Sequence, residues 1–194
     1  MNIIFLDIDG VLNGYNRWNT LGWNIICKFN SEKLKNWYRN FTDPCGIHEN
    51  KIKLLAEIVH STNAKVVMSS CWRHSYWKFI NGVSDSTDDV KRLASLFNKY
   101  NIEVIDITPK SKDGRREDEI IAWLSRHEDK IDNFIILDDE NFDLKCFVDK
   151  ELVQTSSIFK GEIIRRFDYE DTGLKRKHVK KSIKILNGES YDKY

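Results

Sequence analysis

The 194-residue sequence predicts an α/β fold, a three-layer α/β/α sandwich around a parallel sheet, and three observations carry that prediction. Four short apolar runs, at 2–6, 65–68, 103–105 and 134–137, are rich in β-branched and aromatic residues. Each is apolar without alternation, the pattern of strands buried on both faces. Between the runs, apolar residues recur at helical spacing, and a strand–helix–strand order of this kind implies right-handed parallel crossovers.

The elements follow in order. After the first strand, the segment 14–49 breaks the alternation; it holds Trp18, Trp23 and Trp37 among many Asn residues and is expected to be a small lid-like insertion. Ile52, Leu55, Ala56 and Val59 fall at i, i+3, i+4 and i+7, a helical face leading to the second strand. Val90, Leu93, Ala94, Phe97 and Tyr100 form a second face before the third strand. Ile120, Ile121, Trp123 and Leu124 form another, on a helix that begins near Arg115 and Arg116. A weaker fifth strand covers 152–155. The last helix, about 174–186, carries Lys175, Arg176, Lys177, Lys180, Lys181 and Lys184 with no acidic residue among them. One domain over 1–194 is expected, as the length suits a single core.

Composition narrows the function classes. With 2 Pro and 9 Gly among 41% hydrophobic residues, disorder is excluded as the dominant state. The 31 basic and 30 acidic residues leave a formal charge of +1, so the global balance makes no case for nucleic acid and only local clusters could. No apolar stretch approaches the ~18 residues that span a bilayer. The apolar N-terminus meets Asp7 too early for a signal-peptide core. Cys27, Cys45, Cys71 and Cys146 show no CxxC spacing, which argues against a zinc knuckle or a redox dithiol. Scattered thiols of this kind read as reduced, and a cytoplasmic protein without membrane attachment is expected.

Ligands of open α/β sheets bind at the carboxyl ends of the strands, so the residues just past each run are where chemistry is sought. Past the first come Asp7-Ile8-Asp9-Gly10, past the second Ser69-Ser70-Cys71-Trp72-Arg73, and past the fourth Asp138-Asp139. Asp7 and Asp9 are two apart and project to one side of an extended segment. Such close like charges need a cation or a proton between them. Asp7, Asp9, Asp138 and Asp139 together invite a hard divalent ion, and oxygen-only ligation favours Mg²⁺. Gly10 permits a sharp exit and a close ligand approach. The EF-hand template fails, because its glycine and final glutamate positions counted from Asp7 are Leu12 and Trp18. Together the groups suit phosphoryl transfer: a carboxylate nucleophile, a second carboxylate moving the proton, and hydroxyl and cationic groups on the phosphoryl oxygens.

FLDIDGVLN, VVMSS and a cation ahead of ILDD resemble the haloacid dehalogenase (HAD) superfamily of Mg²⁺-dependent phosphatases. With SSCWR, ITPK, the run from Arg116 to Leu124 and ILDDE, the resemblance is closest to the HAD domain of Swiss-army-knife RNA repair proteins, from about residue 2 to the helix start at 172–174. It implies a HAD-like (Rossmannoid) sheet, Asp7 as nucleophile, and Asp9 as general acid/base whose backbone carbonyl also binds Mg²⁺. It further implies Ser69 as the phosphoryl-orienting hydroxyl and Asp138, with Asp139 beside it, as metal ligand. The family's cation is usually Lys; here Arg116 fits best, 22 residues before Asp138, with Lys112 and Arg115 as alternatives. Ser70 is the rival of Ser69.

Arg73 is a candidate clamp on substrate, against the alternative of pairing with a nearby carboxylate, and Trp72 a candidate stacking surface against packing under its loop. Asn13 is expected to fix the first turn. The dispersed histidines show no HxH or HExxH, and His74 is nearest the site. The basic helix reads as a solvated face or as a phosphate-tracking surface. The expected activity is removal of phosphate from RNA or DNA ends through an aspartyl-phosphate. The alternatives are a HAD phosphatase of a small phosphorylated metabolite and, in another class, a receiver-like phospho-switch, for which Asp106 is the closest third-strand acceptor.

Overall fold

The computed structural model describes residues 1–13, 25–26, 28–29, 31–34, 46–148, 150–155 and 172–189. Most of the expected insertion at 14–49 therefore lies outside the described residues. Five strands are present: β1 (Ile3–Leu6), β2 (Lys65–Met68), β3 (Val104–Ile107), β4 (Phe134–Asp138) and β5 (Leu152–Gln154). They pair in parallel throughout, in the order β3-β2-β1-β4-β5. The α/β class and the parallel sheet are as the sequence predicts.

β1 lies at the centre because its four residues, Ile3, Ile4, Phe5 and Leu6, are apolar on both faces and fully buried. Even-numbered Ile4 and Leu6 pack with Val66, Met68, Ile135 and Leu137 against a layer of helices. That layer holds α1 (Glu49–Thr62), α2 (Arg73–Ile80), α3 (Asp88–Lys99) and, at the end of the described chain, α5 (Arg176–Leu186). Odd-numbered Ile3 and Phe5 join Val67 and Ile136 on the other face, under Ile120 and Trp123 of α4 (Arg116–Leu124). Phe5 meets Trp123 edge to face at 5.4 Å between ring centres. Two layers of helix thus enclose the sheet.

Two elements depart from expectation. β3 extends to Ile107, past the predicted 103–105, and all its residues are only half-buried because it is an edge strand. Asp106 interrupts its apolar run, and that carboxylate accepts a hydrogen bond from Trp123 Nε1 at 2.7 Å. α2 carries no expected apolar stripe. Of its eight residues only Arg73 and Tyr76 are buried, so hydrophobic periodicity could not reveal it.

The chain runs outward from β1 through β2 to β3, then crosses back to β4 on the other side of β1. The order therefore reverses between β1 and β4, and their carboxyl ends flank the crevice where such sheets bind ligands.

Candidate active site

Register explains why distant acidic residues converge. Leu6 is paired with Met68 on one side and with Leu137 on the other. One residue further on come Asp7, Ser69 and Asp138. Asp7 N–H donates to Leu137 O and Ser69 N–H to Leu6 O, each at 2.9 Å, so the alignment persists past the strands. By the two-residue period these three continue the parity of Phe5, Val67 and Ile136, the face that α4 covers. α4 begins with Arg116.

The loop after β4 holds that beginning in place. Asp143 Oδ2 accepts from Arg116 N–H at 3.0 Å, and Asp143 O accepts from Glu117 N–H at 3.2 Å. These contacts satisfy two otherwise orphaned donors of the first turn. The Arg116 guanidinium pairs directly with Asp138, and its Nη1 lies 3.6 Å from Asp7 Oδ1.

Asp7, Asp138 and Asp139 are all buried, and one carboxylate oxygen of each lies within 4.8 Å of the others. Burial penalises their charge. It pushes the Asp7 carboxyl up to about 7; the Arg116 charge opposes this, while Asp138, Asp139 and Asp9 add to it. Asp138 is raised to about 6, again by burial first and against Arg116. Burial works against the Arg116 charge too, but Asp7 and Asp138 outweigh it and hold the guanidinium charged. One guanidinium against three buried carboxylates leaves surplus negative charge in a site lined with oxygen atoms. A hard divalent cation fits this donor set.

Ser69 Oγ is fully buried and has no hydrogen-bond partner among the described residues. A buried hydroxyl without a partner is costly unless a ligand completes it. Ser70 Oγ, its rival, accepts from Trp72 N–H at 3.3 Å and so belongs to the turn into α2.

Asp9 stands apart from the other three carboxylates. Its side chain is exposed and accepts from Trp72 Nε1 at 3.0 Å, Cys71 Sγ at 3.4 Å and Asn13 Nδ2 at 2.6 Å. Among the described residues, the expected nest of four carboxylates is therefore a cluster of three, with the exposed Asp9 side chain outside it. Asn13 also accepts from Gly10 N–H at 2.9 Å, closing the turn as its position suggests. Gly10 has φ +68°, and any Cβ there would overlap the Asp139 carboxyl. Only glycine suits that backbone and that spacing. Thr155, past β5, bonds Gly10 O at 2.8 Å and ties the loop to the sheet edge.

Among the three candidate cations, Arg116 alone is brought to the carboxylates. Arg115 is exposed and pairs with Glu117 and Asp118, and Lys112 is exposed. Arg73 forms a buried pair with Glu119 at 2.8 Å and donates to Ser70 O at 3.0 Å. Glu119 accepts in addition from Ser111 N–H at 3.1 Å. The geometry of Arg73 is thus the carboxylate pair rather than the open clamp. The sequence offered a nearby carboxylate as the partner of Arg73 but did not identify it as Glu119, which sits one turn after Arg116 on the same helix. Trp72 packs against the core, as the packing alternative expects, and in addition its indole donates to Asp9.

A model of the HAD domain in Swiss Army Knife RNA repair proteins matches residues 3–159 of the chain. No curated protein and no solved structure matches it. The matched span takes in β1 to β5 and the carboxylate cluster.

Proposed function

The chain belongs to the family of HAD domains in Swiss Army Knife RNA repair proteins, and from that membership and its carboxylate site we propose that it is a Mg²⁺-dependent phosphatase acting on nucleic-acid ends. The observation that carries the reading is the buried cluster of Asp7, Asp138 and Asp139, closed on one side by Arg116, at the reversal point of the sheet.

In this mechanism a carboxylate oxygen of Asp7 attacks phosphorus, the bond from phosphorus to the leaving oxygen breaks, and Asp9 gives that oxygen its proton. An aspartyl-phosphate on Asp7 results. Water then attacks the same phosphorus, Asp9 takes the water's proton, and the bond to Asp7 breaks to release inorganic phosphate. The Ser69 hydroxyl donates to a phosphoryl oxygen, which supplies its missing partner. Arg116, already beside Asp7, lies where negative charge develops on the equatorial oxygens. Trp72, Cys71 and Asn13 orient the Asp9 carboxyl. Arg73 serves as a positioning residue, fixing the Ser70 loop to Glu119 and hence to the helix that carries Arg116. Asp7, Asp138 and Asp139, with the Asp9 carbonyl, would hold Mg²⁺, which would supply charge neutralisation for phosphate and nucleophile.

Phosphate release tests the reading, measured with Mg²⁺ or with EDTA. The panel is 3′- and 5′-phosphorylated oligonucleotides, free nucleotides and sugar phosphates. Mg²⁺-dependent release, fastest from an oligonucleotide end, is expected. Release only from small metabolites would retain the phosphatase and move the substrate. A stable phosphoprotein without turnover would instead favour a phospho-switch.

A further inference from the structure

Among the described residues outside the carboxylate site, the face of α5 turned away from the sheet carries a stripe of exposed lysines. Its buried residues, His178, Val179, Ser182 and Leu186, pack inward. Lys177, Lys180 and Lys184 are all exposed. At about 100° per residue these three fall within an arc of about 60°, opposite the buried face. Successive rises along the axis are about 4.5 and 6 Å. That is the scale of one nucleotide step in an extended strand. Because the whole chain carries only +1, this stripe is a local concentration and not part of a generally basic surface.

The start of the helix is fastened to the catalytic loop. Leu174 N–H donates to Val11 O at 2.9 Å, one residue past Gly10. Gly173 has φ +84°, and a Cβ there would meet Val11 O at 2.7 Å. The buried Lys51 ammonium donates to Thr172 O and clamps the same junction. At its far end, Leu186 O accepts from Asn133 Nδ2, just ahead of β4. The helix therefore runs from the loop after β1, at the carboxyl ends of the strands, toward their amino ends, with the lysine stripe along its outer face.

We propose that Lys177, Lys180 and Lys184 form a track for the sugar-phosphate backbone of a single-stranded nucleic acid whose terminal phosphate enters the carboxylate site. The assignment of the strand's end rests on the phosphatase reading; the track itself is measured by binding. The experiment compares the full chain with the triple variant Lys177→Gln, Lys180→Gln, Lys184→Gln. Fluorescence anisotropy follows a labelled, 3′-phosphorylated single-stranded RNA across a salt series, and hydrolysis of para-nitrophenyl phosphate is measured in parallel. Each phosphate contact contributes about 0.7 to the slope of log K against log salt. The variant should lose about 2 from that slope and bind at least about tenfold more weakly at low salt. Hydrolysis of the small ester, which cannot reach the helix, should stay within about twofold and also reports that the variant is folded. An unchanged slope, no RNA binding by the parent chain, or equal competition by polyglutamate overturns the track. Absence of ester hydrolysis in both proteins would defeat the phosphatase reading while the anisotropy still decides the track.

Discussion

Arg116 Nη1 lies 3.6 Å from Asp7 Oδ1 while the same guanidinium pairs with Asp138. One side chain from the first turn of α4 thereby compensates carboxylates delivered by two neighbouring strands. Its removal should act on both stability and chemistry. Arg116→Met leaves buried carboxylates without their cation, which costs up to about 3 kcal/mol in urea unfolding. It should also lower kcat by about 100-fold or more, as loss of a preorganised charge on a transferring group does. Arg116→Lys should recover most of the stability and part of the rate.

The division of the four aspartates into a buried three and an exposed one makes a metal prediction. Saturating Mg²⁺, at about 100 times its Kd, should stabilise the protein by about 2.7 kcal/mol, read as a rise in Tm. Asp138→Asn should abolish most of that rise. Asp9→Asn should keep it, because the Asp9 carboxyl lies outside the cluster, yet should lose turnover. Equal loss of the Mg²⁺ shift in both variants would contradict the division.

Burial raises the folded-state pKa of Asp7 from 3.8 to about 7, with help from its acidic neighbours and opposition from Arg116. Between those values the folded chain holds a proton that the unfolded chain has released. The metal-free protein should therefore gain stability as pH falls through about 7, and this contribution is complete below about 4. Measured as the difference from Asp7→Asn in EDTA, the gain from about pH 7.5 to 5.5 should be about 1–2 kcal/mol. Mg²⁺ competes with the proton and should remove the difference. A flat difference in EDTA would show that Asp7 is ionised throughout.

Much of this was legible in the sequence because β1, β2 and β4 are buried on both faces and so write themselves as unbroken apolar runs. The positions just past the apolar runs offered Asp7, Ser69 with Ser70 as its rival, and Asp138, which closes β4. β3 was blurred because an edge strand tolerates Asp106. α2 was invisible because its burial falls on Arg73 and Tyr76 rather than on an aliphatic stripe. The choice among Lys112, Arg115 and Arg116 needed the helix start, which Asp143 caps from a different part of the chain. Similarly, the separation of Asp9 from the other aspartates depends on Trp72, 63 residues away, and no local pattern encodes such a contact.

The nucleophilic role of Asp7 is tested most directly by acid-quenching the enzyme during turnover of a substrate carrying a radiolabelled terminal phosphate. The label should be bound to protein, be released by hydroxylamine, and map to the peptide containing Asp7. Asp7→Asn should lose both the label and more than about 1,000-fold of the rate while retaining its fold. Phosphate release by Asp7→Asn at the parent rate, or label on a peptide without Asp7, would contradict the account.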